Sequence, residues 1–266
     1  MNNRPEYSGQ ADSQSAPSAA GYFDSATKPV YGFLFVLPIL LVYEFLIIFT
    51  GTPIRNGADV ILKLFFNLVG IKTIIGFTLV VMTTYAYIVF SSREAGEETI
   101  YPVYFLLMFA ESVVYAMSLG PLILRLMRGV KEAVPGLYAS GHAIASGGGD
   151  AVSTGVYSMS ERLIAALGAG IYEEFVFRYM LVTFFVYLFV KLFALSKWQA
   201  AAFAIFWASL IFSGFHYVGE LGDRFEVASF IYRFIAGVIL SLLYFFRGYG
   251  IAVYTHALYD LKLFFL

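Results

Sequence analysis

The chain contains no cysteine, which excludes disulfides, a thiol nucleophile and a thiolate metal site. Any metal would have to be held by His, Asp or Glu. Charge is also scarce: Asp, Glu, Lys and Arg make up 13% of the residues and sum to a formal net charge of -1. No basic footprint for a nucleic-acid partner follows from that balance. There are three histidines, and two tryptophans stand against 20 tyrosines and 28 phenylalanines. A His-Glu-x-x-His zinc helix and a Gly-x-Ser-Gly nucleophile loop are both absent from the sequence.

What fills the chain instead is apolar. Hydrophobic residues reach 60%, and apolar runs of about 20 residues recur. They fall at Tyr31–Thr50, Thr73–Phe90, Tyr101–Leu124, Leu163–Phe193, Ala200–Phe215, Ala228–Phe246 and Ile251–Leu266. The expected fold class is all-α, a polytopic transmembrane helical bundle of about seven membrane helices, or eight if Leu163–Phe193 is broken. That run has about 31 residues, roughly 46 Å as a helix, so it must tilt, kink or protrude. Tyrosines near the ends of the runs suit the headgroup region. Arg55–Gly70 spaces Asp59, Lys63 and Asn67 among apolar residues as an interfacial helix would. Val134–Tyr157 is a Gly-, Ala- and Ser-rich loop.

Three segments are expected: a disordered polar tail at 1–28, amino-terminal membrane helices with the Gly-rich loop at 29–157, and a membrane core at 158–266. No short apolar stretch follows a basic start, so the first apolar run is expected to stay as a signal anchor. Lys and Arg divide too evenly between the loops to set the orientation.

Three short motifs lie within apolar helices, where ionised groups are costly and mark a site by default. The first is Glu173-Glu174-x-x-x-Arg178. At 100° per residue its three charged groups fall within an arc of about 140°, so they can share one cleft. Glu174 and Arg178, spaced i,i+4, can form an ion pair. Glu173 is then less directly neutralised and suited to handling a proton. The second is Phe212-x-x-x-His216, with His216 closing an apolar run and Gly214 allowing close approach. The third is His256-x-x-x-Asp260, which stacks an imidazole and a carboxylate on one helix face. There Asp260 could fix the imidazole tautomer, or both groups could hold a water or a metal. Each motif alone has a structural explanation: an ion pair that locks a bundle, an interfacial histidine, or a self-satisfied His–Asp pair. Three motifs on three helices of one half of the chain make separate accidents the poorer account, because together they suit water activation and oxyanion stabilisation.

This ordered set resembles the CPBP family of intramembrane proteases, which includes the CAAX prenyl proteases and bacteriocin-processing enzymes. The resemblance spans about residues 158–266. It implies an intramembrane endopeptidase acting on a membrane-associated protein or peptide, including CAAX-type carboxy-terminal processing of a lipidated chain. By the same resemblance Glu173 activates water and His216 positions it. His256 and Asp260 bind the water or the oxyanion, and Glu174 with Arg178 organises the site. The prenyl-protease branch often has Asn where this chain has Asp260, a departure that bears on substrate and makes the site more anionic. The favoured mechanism needs no cofactor; were a metal such as zinc bound, its ligands would be Glu173, His216, His256 and Asp260. The expected setting is a bacterial inner membrane, with the lipid bilayer and a tethered substrate as partners.

Competing readings are weaker. Gly147-Gly148-Gly149-Asp150 and Tyr259-Asp260 fit the two motifs of presenilin-type aspartyl proteases, but in the wrong order, and Asp150 sits in a polar stretch. A transporter would show an inverted repeat or matched broken helices, and no duplication is visible. A scaffold or immunity protein would usually have lost a motif residue. His142 has no partner at helical spacing. Glu44 and Glu111 are read as structural, and Arg233, near a span end, is expected to snorkel.

Overall fold

The computed structural model describes residues 17–51, 82–87, 90–91, 100–134, 158–218 and 222–265. The expected interfacial helix at Arg55–Gly70, most of the Thr73–Phe90 run, and His142 and Asp150 of the Gly-rich loop lie outside the described residues.

The described residues are helical, with no strand among them. In chain order they form α1 (Ala19–Thr27), α2 (Pro29–Thr50), α3 (Pro102–Ala133), α4 (Met159–Phe193), α5 (Lys197–Phe215), α6 (Val227–Arg247) and α7 (Tyr249–Phe265). Five of these, α2 to α6, are long and apolar enough to cross a membrane, so this is an integral membrane protein. Exposed Leu, Phe, Val and Ile side chains on their outer faces, such as Leu106, Val114, Phe203 and Phe206, suit contact with lipid.

The boundaries follow from local chemistry. Proline opens α2 and α3, where its missing N–H leaves no further bond unmade. Ser158 with Glu161, and Ser196 with Gln199, form reciprocal capping boxes at the starts of α4 and α5. Between α6 and α7 a single residue, Gly248, turns the chain at φ 86°. A side chain there would be strained and would also strike the Ala26 carbonyl at 2.6 Å.

The expectation of a disordered tail through residue 28 does not hold for its last part. Ser18 caps α1, whose Tyr22 and Ala26 are buried among Tyr31, Phe35, Tyr104 and Met108. Two aromatic and small residues at i,i+4 give this otherwise polar segment enough apolar surface to dock.

The bundle is arranged around α7, which packs against α2, α3, α4 and α6. Small residues make that central position accessible. Gly250 of α7 meets Gly32 of α2 so closely that a Cβ on Gly250 would lie 3.0 Å from the Gly32 backbone. The long run centred on Leu163–Phe193 is one continuous helix. It changes winding: Ala169–Val182 takes the wider π geometry.

Candidate active site

The π-helical stretch of α4 contains the whole Glu-Glu-x-x-x-Arg motif. Hydrogen bonds from i to i+5 put more residues in each turn, so each residue advances by less than the α-helical 100°. Arg178 therefore swings back towards the sector between Glu173 and Glu174, and the three charged groups occupy a narrower arc than an α-helix gives. Such segments are usually single turns and often mark functional sites.

Gly170 sets the distance to α7. A Cβ there would lie 2.7 Å from Ala257 Cβ and 2.8 Å from the Val253 carbonyl oxygen. Only glycine permits this approach, which lays the two acidic residues against His256 one turn further along.

Across that contact His256 Nδ1 donates to Glu174 Oε1 at 2.7 Å. The same oxygen is 3.0 Å from Arg178 Nη1, so the i,i+4 ion pair exists. Its angles do not make a hydrogen bond, and Arg178 Nε, Nη1 and Nη2 all lack one among the described residues. The guanidinium instead rests over the Phe212 ring, 4.2 Å from its centroid. Glu174 and Arg178 are 0% and 1% exposed. His256 Nε2 lies 3.6 Å from Asp260 Oδ2, within ion-pair range but beyond a hydrogen bond. The tautomer-fixing carboxylate is thus Glu174, on another helix. Asp260, the partner that sequence spacing suggests, does not take that role.

His216 caps α5. Its Nδ1 lies 2.9 Å from the Phe212 carbonyl, an oxygen that can only accept, so Nδ1 carries the proton. In the neutral ring Nε2 then presents a lone pair. Glu173 is buried and lies within electrostatic reach of Arg178, His216, His256 and Asp260. Glu174 reaches Arg178, His256 and Asp260. Glu173 is therefore the carboxylate whose charge reaches both histidines. All six residues singled out in the sequence gather where α4, α5 and α7 meet.

Two features of this region escape the sequence motifs. Tyr172 donates its hydroxyl to Glu44 of α2, which fastens the residue before Glu173 to a helix far away in the chain. Arg233 does not snorkel: it is buried and pairs with Asp223, seven residues after His216. Opposite charges near two span ends were the available signal for that pair. As arranged, no three His, Asp or Glu side chains among the described residues converge as metal ligands.

Fold and site together define a class: a helical membrane bundle that encloses carboxylates, imidazoles and an arginine on its central helices. Residues 156–262 match the family described as Rce1-like, Type II CAAX prenyl endopeptidase Rce1-like. This is the CPBP/CAAX protease family to which the three motifs point, and the matched segment holds all three. The match supports a CAAX-type intramembrane endopeptidase in general. No curated protein and no solved structure matches the chain.

Proposed function

We propose that the protein hydrolyses a peptide bond near the carboxy terminus of a membrane-tethered, prenylated chain, with Glu173 as general base. The observation that carries this reading is the division between the two glutamates. Glu174 Oε1 is engaged by Arg178 and His256, whereas Glu173 lies within electrostatic reach of both imidazoles.

In this mechanism a water bound between Glu173 and His216 Nε2 attacks the scissile carbonyl carbon. Its proton passes to the Glu173 carboxylate while the His216 lone pair holds the other hydrogen. The carbonyl oxygen becomes an oxyanion. With Nδ1–H committed to Glu174, His256 donates to that oxyanion from a protonated Nε2, so the ring acts as an imidazolium whose charge Glu174 and Asp260 balance. Collapse of the tetrahedral intermediate breaks the C–N bond. The leaving nitrogen takes the proton from Glu173, the hydrogen still held on the attacking oxygen passes to His216 Nε2, and the products are a new carboxylate and a free amine. Arg178 limits the anionic charge of the cluster and fixes the orientation of Glu174.

The test compares cleavage of a farnesylated CAAX peptide by purified wild type, Glu173→Ala and His256→Ala, each with and without a strong chelator. Loss of turnover in both variants, with chelator-insensitive wild type, is expected. Unchanged turnover in Glu173→Ala sinks the mechanism, and chelator-sensitive wild type moves the site to metal chemistry. A cellular phenotype without any proteolysis points to a scaffold.

A further inference from the structure

The cation of the site region that the mechanism does not use is Arg233 of α6. The residue is 8% exposed. Its Nη2 donates to Asp223 Oδ2, while Nη1 is buried without a hydrogen-bond partner among the described residues. The Tyr217 hydroxyl is in the same condition, and Arg233 Cζ sits 5.2 Å from the centre of the Tyr217 ring. A buried donor left unmatched bears the full cost of losing water. Two such donors, on a guanidinium and on the ring it packs against, fit an acceptor that arrives with the substrate.

Their location says which acceptor. Tyr217 follows His216, and the Asp223 amide donates to the His216 carbonyl at 2.8 Å. Ser213 Oγ donates to the Phe230 carbonyl at 2.7 Å and fixes α6 against the end of α5, one turn from Arg233. The donors therefore stand beside the imidazole proposed to hold the attacking water. In a CAAX chain end three residues follow the modified cysteine. Extended, they place the terminal carboxylate about 10 Å from the scissile carbonyl. A guanidinium fork is the side chain best matched to such a group.

We propose that Arg233 Nη1 and the Tyr217 hydroxyl form a subsite for the terminal α-carboxylate of the substrate, the end of the short fragment that hydrolysis releases. No bond is made or broken there. Asp223 holds the other guanidinium nitrogen and balances its charge when the subsite is empty. The inference rests on the proposed endopeptidase activity and adds how the enzyme measures the distance to the chain end.

The experiment uses one farnesylated peptide prepared with a free carboxylate and as the carboxy-terminal amide, cut by the full-length protein in detergent. Wild type should prefer the acid at least ~10-fold in kcat/KM, equivalent to about 1.4 kcal/mol, mainly through KM. Arg233→Gln should bring the ratio close to one, Tyr217→Phe should lower it several-fold, and Asp223→Asn should keep or raise it. A wild type that cuts acid and amide alike overturns the subsite, as does Arg233→Gln with the ratio intact. Equal loss on both peptides with the ratio preserved would show that Arg233 only clamps the loop. The wild-type and Tyr217→Phe ratios decide the matter even where Arg233→Gln folds poorly. Cleavage of neither peptide by wild type is a different result, and it overturns the proposed activity and the subsite with it.

Discussion

Two glutamate–arginine pairs among the described residues, one partly buried and one fully buried, are built differently. In the first, Arg247 at the end of α6 donates Nε and Nη2 to the two oxygens of Glu111, the latter at 2.7 Å. Tyr22 and Tyr115 complete that carboxylate, and the guanidinium also stacks on Phe23. Every strong group has a partner. In the second, Glu174 divides one oxygen between Arg178 and His256, and among the described residues its other oxygen and three guanidinium nitrogens have no hydrogen bond. A membrane protein tolerates charge in its interior when the charge is satisfied, as at Glu111. Charge left unsatisfied at the meeting point of three helices is held for something else. The contrast separates a clamp, which docks α1 onto α3 and α6, from a site.

That contrast can be broken by mutation. Glu173→Gln should lower peptide cleavage about 10³- to 10⁴-fold, the upper part of what a general base contributes, with little change in thermal unfolding. His256→Ala should cost about 10²- to 10³-fold in kcat, as removal of an oxyanion donor does. Glu111→Gln should do the reverse. Leaving Arg247 without its counter-charge should destabilise the fold by about 1–3 kcal/mol, as loss of hydrogen bonds to a charged, partly buried group does, read as a lower melting temperature, while turnover per folded molecule holds.

Gly170→Ala should cost roughly 1–3 kcal/mol of stability, because the Val253 carbonyl cannot step aside for the new methyl group. Activity should fall with it as α4 and α7 separate. The smallest effect concerns pH. Burial, and then the hydrogen bond to Glu111, raise the Tyr22 hydroxyl well above its ordinary value. A folded-state pKa above the unfolded one means that this contribution is fully present below about pH 10 and is lost as pH rises through the folded value. Melting curves should show that alkaline loss in wild type and a smaller one in Tyr22→Phe.

Much of the site was legible before any coordinates. Periodicity and composition gave the helices, and the i,i+4 spacing of Glu174 and Arg178 gave their ion pair, because helical neighbours are a local property. What stayed hidden is what depends on how helices meet. The bond from His256 to Glu174 exists because Gly170 allows α4 and α7 to touch, so the tempting local partner, Asp260, was the wrong one for Nδ1. The π winding of Ala169–Val182 has no clear sequence signature. The order of α1 rests on Tyr22 and Ala26 finding a surface on α2 and α3, which a polar-looking tail does not advertise. Arg233 looked free to reach water until Asp223, carried in by the loop after His216, was seen beside it.

The most direct measurement is the cleavage rate per folded molecule for Glu173→Gln and Glu111→Gln, taken side by side with their melting temperatures. A crossed pattern is expected: Glu173→Gln folded and at least ~10³-fold slower, Glu111→Gln less stable and as fast as wild type once corrected for the folded fraction. Turnover in Glu173→Gln within tenfold of wild type would contradict it.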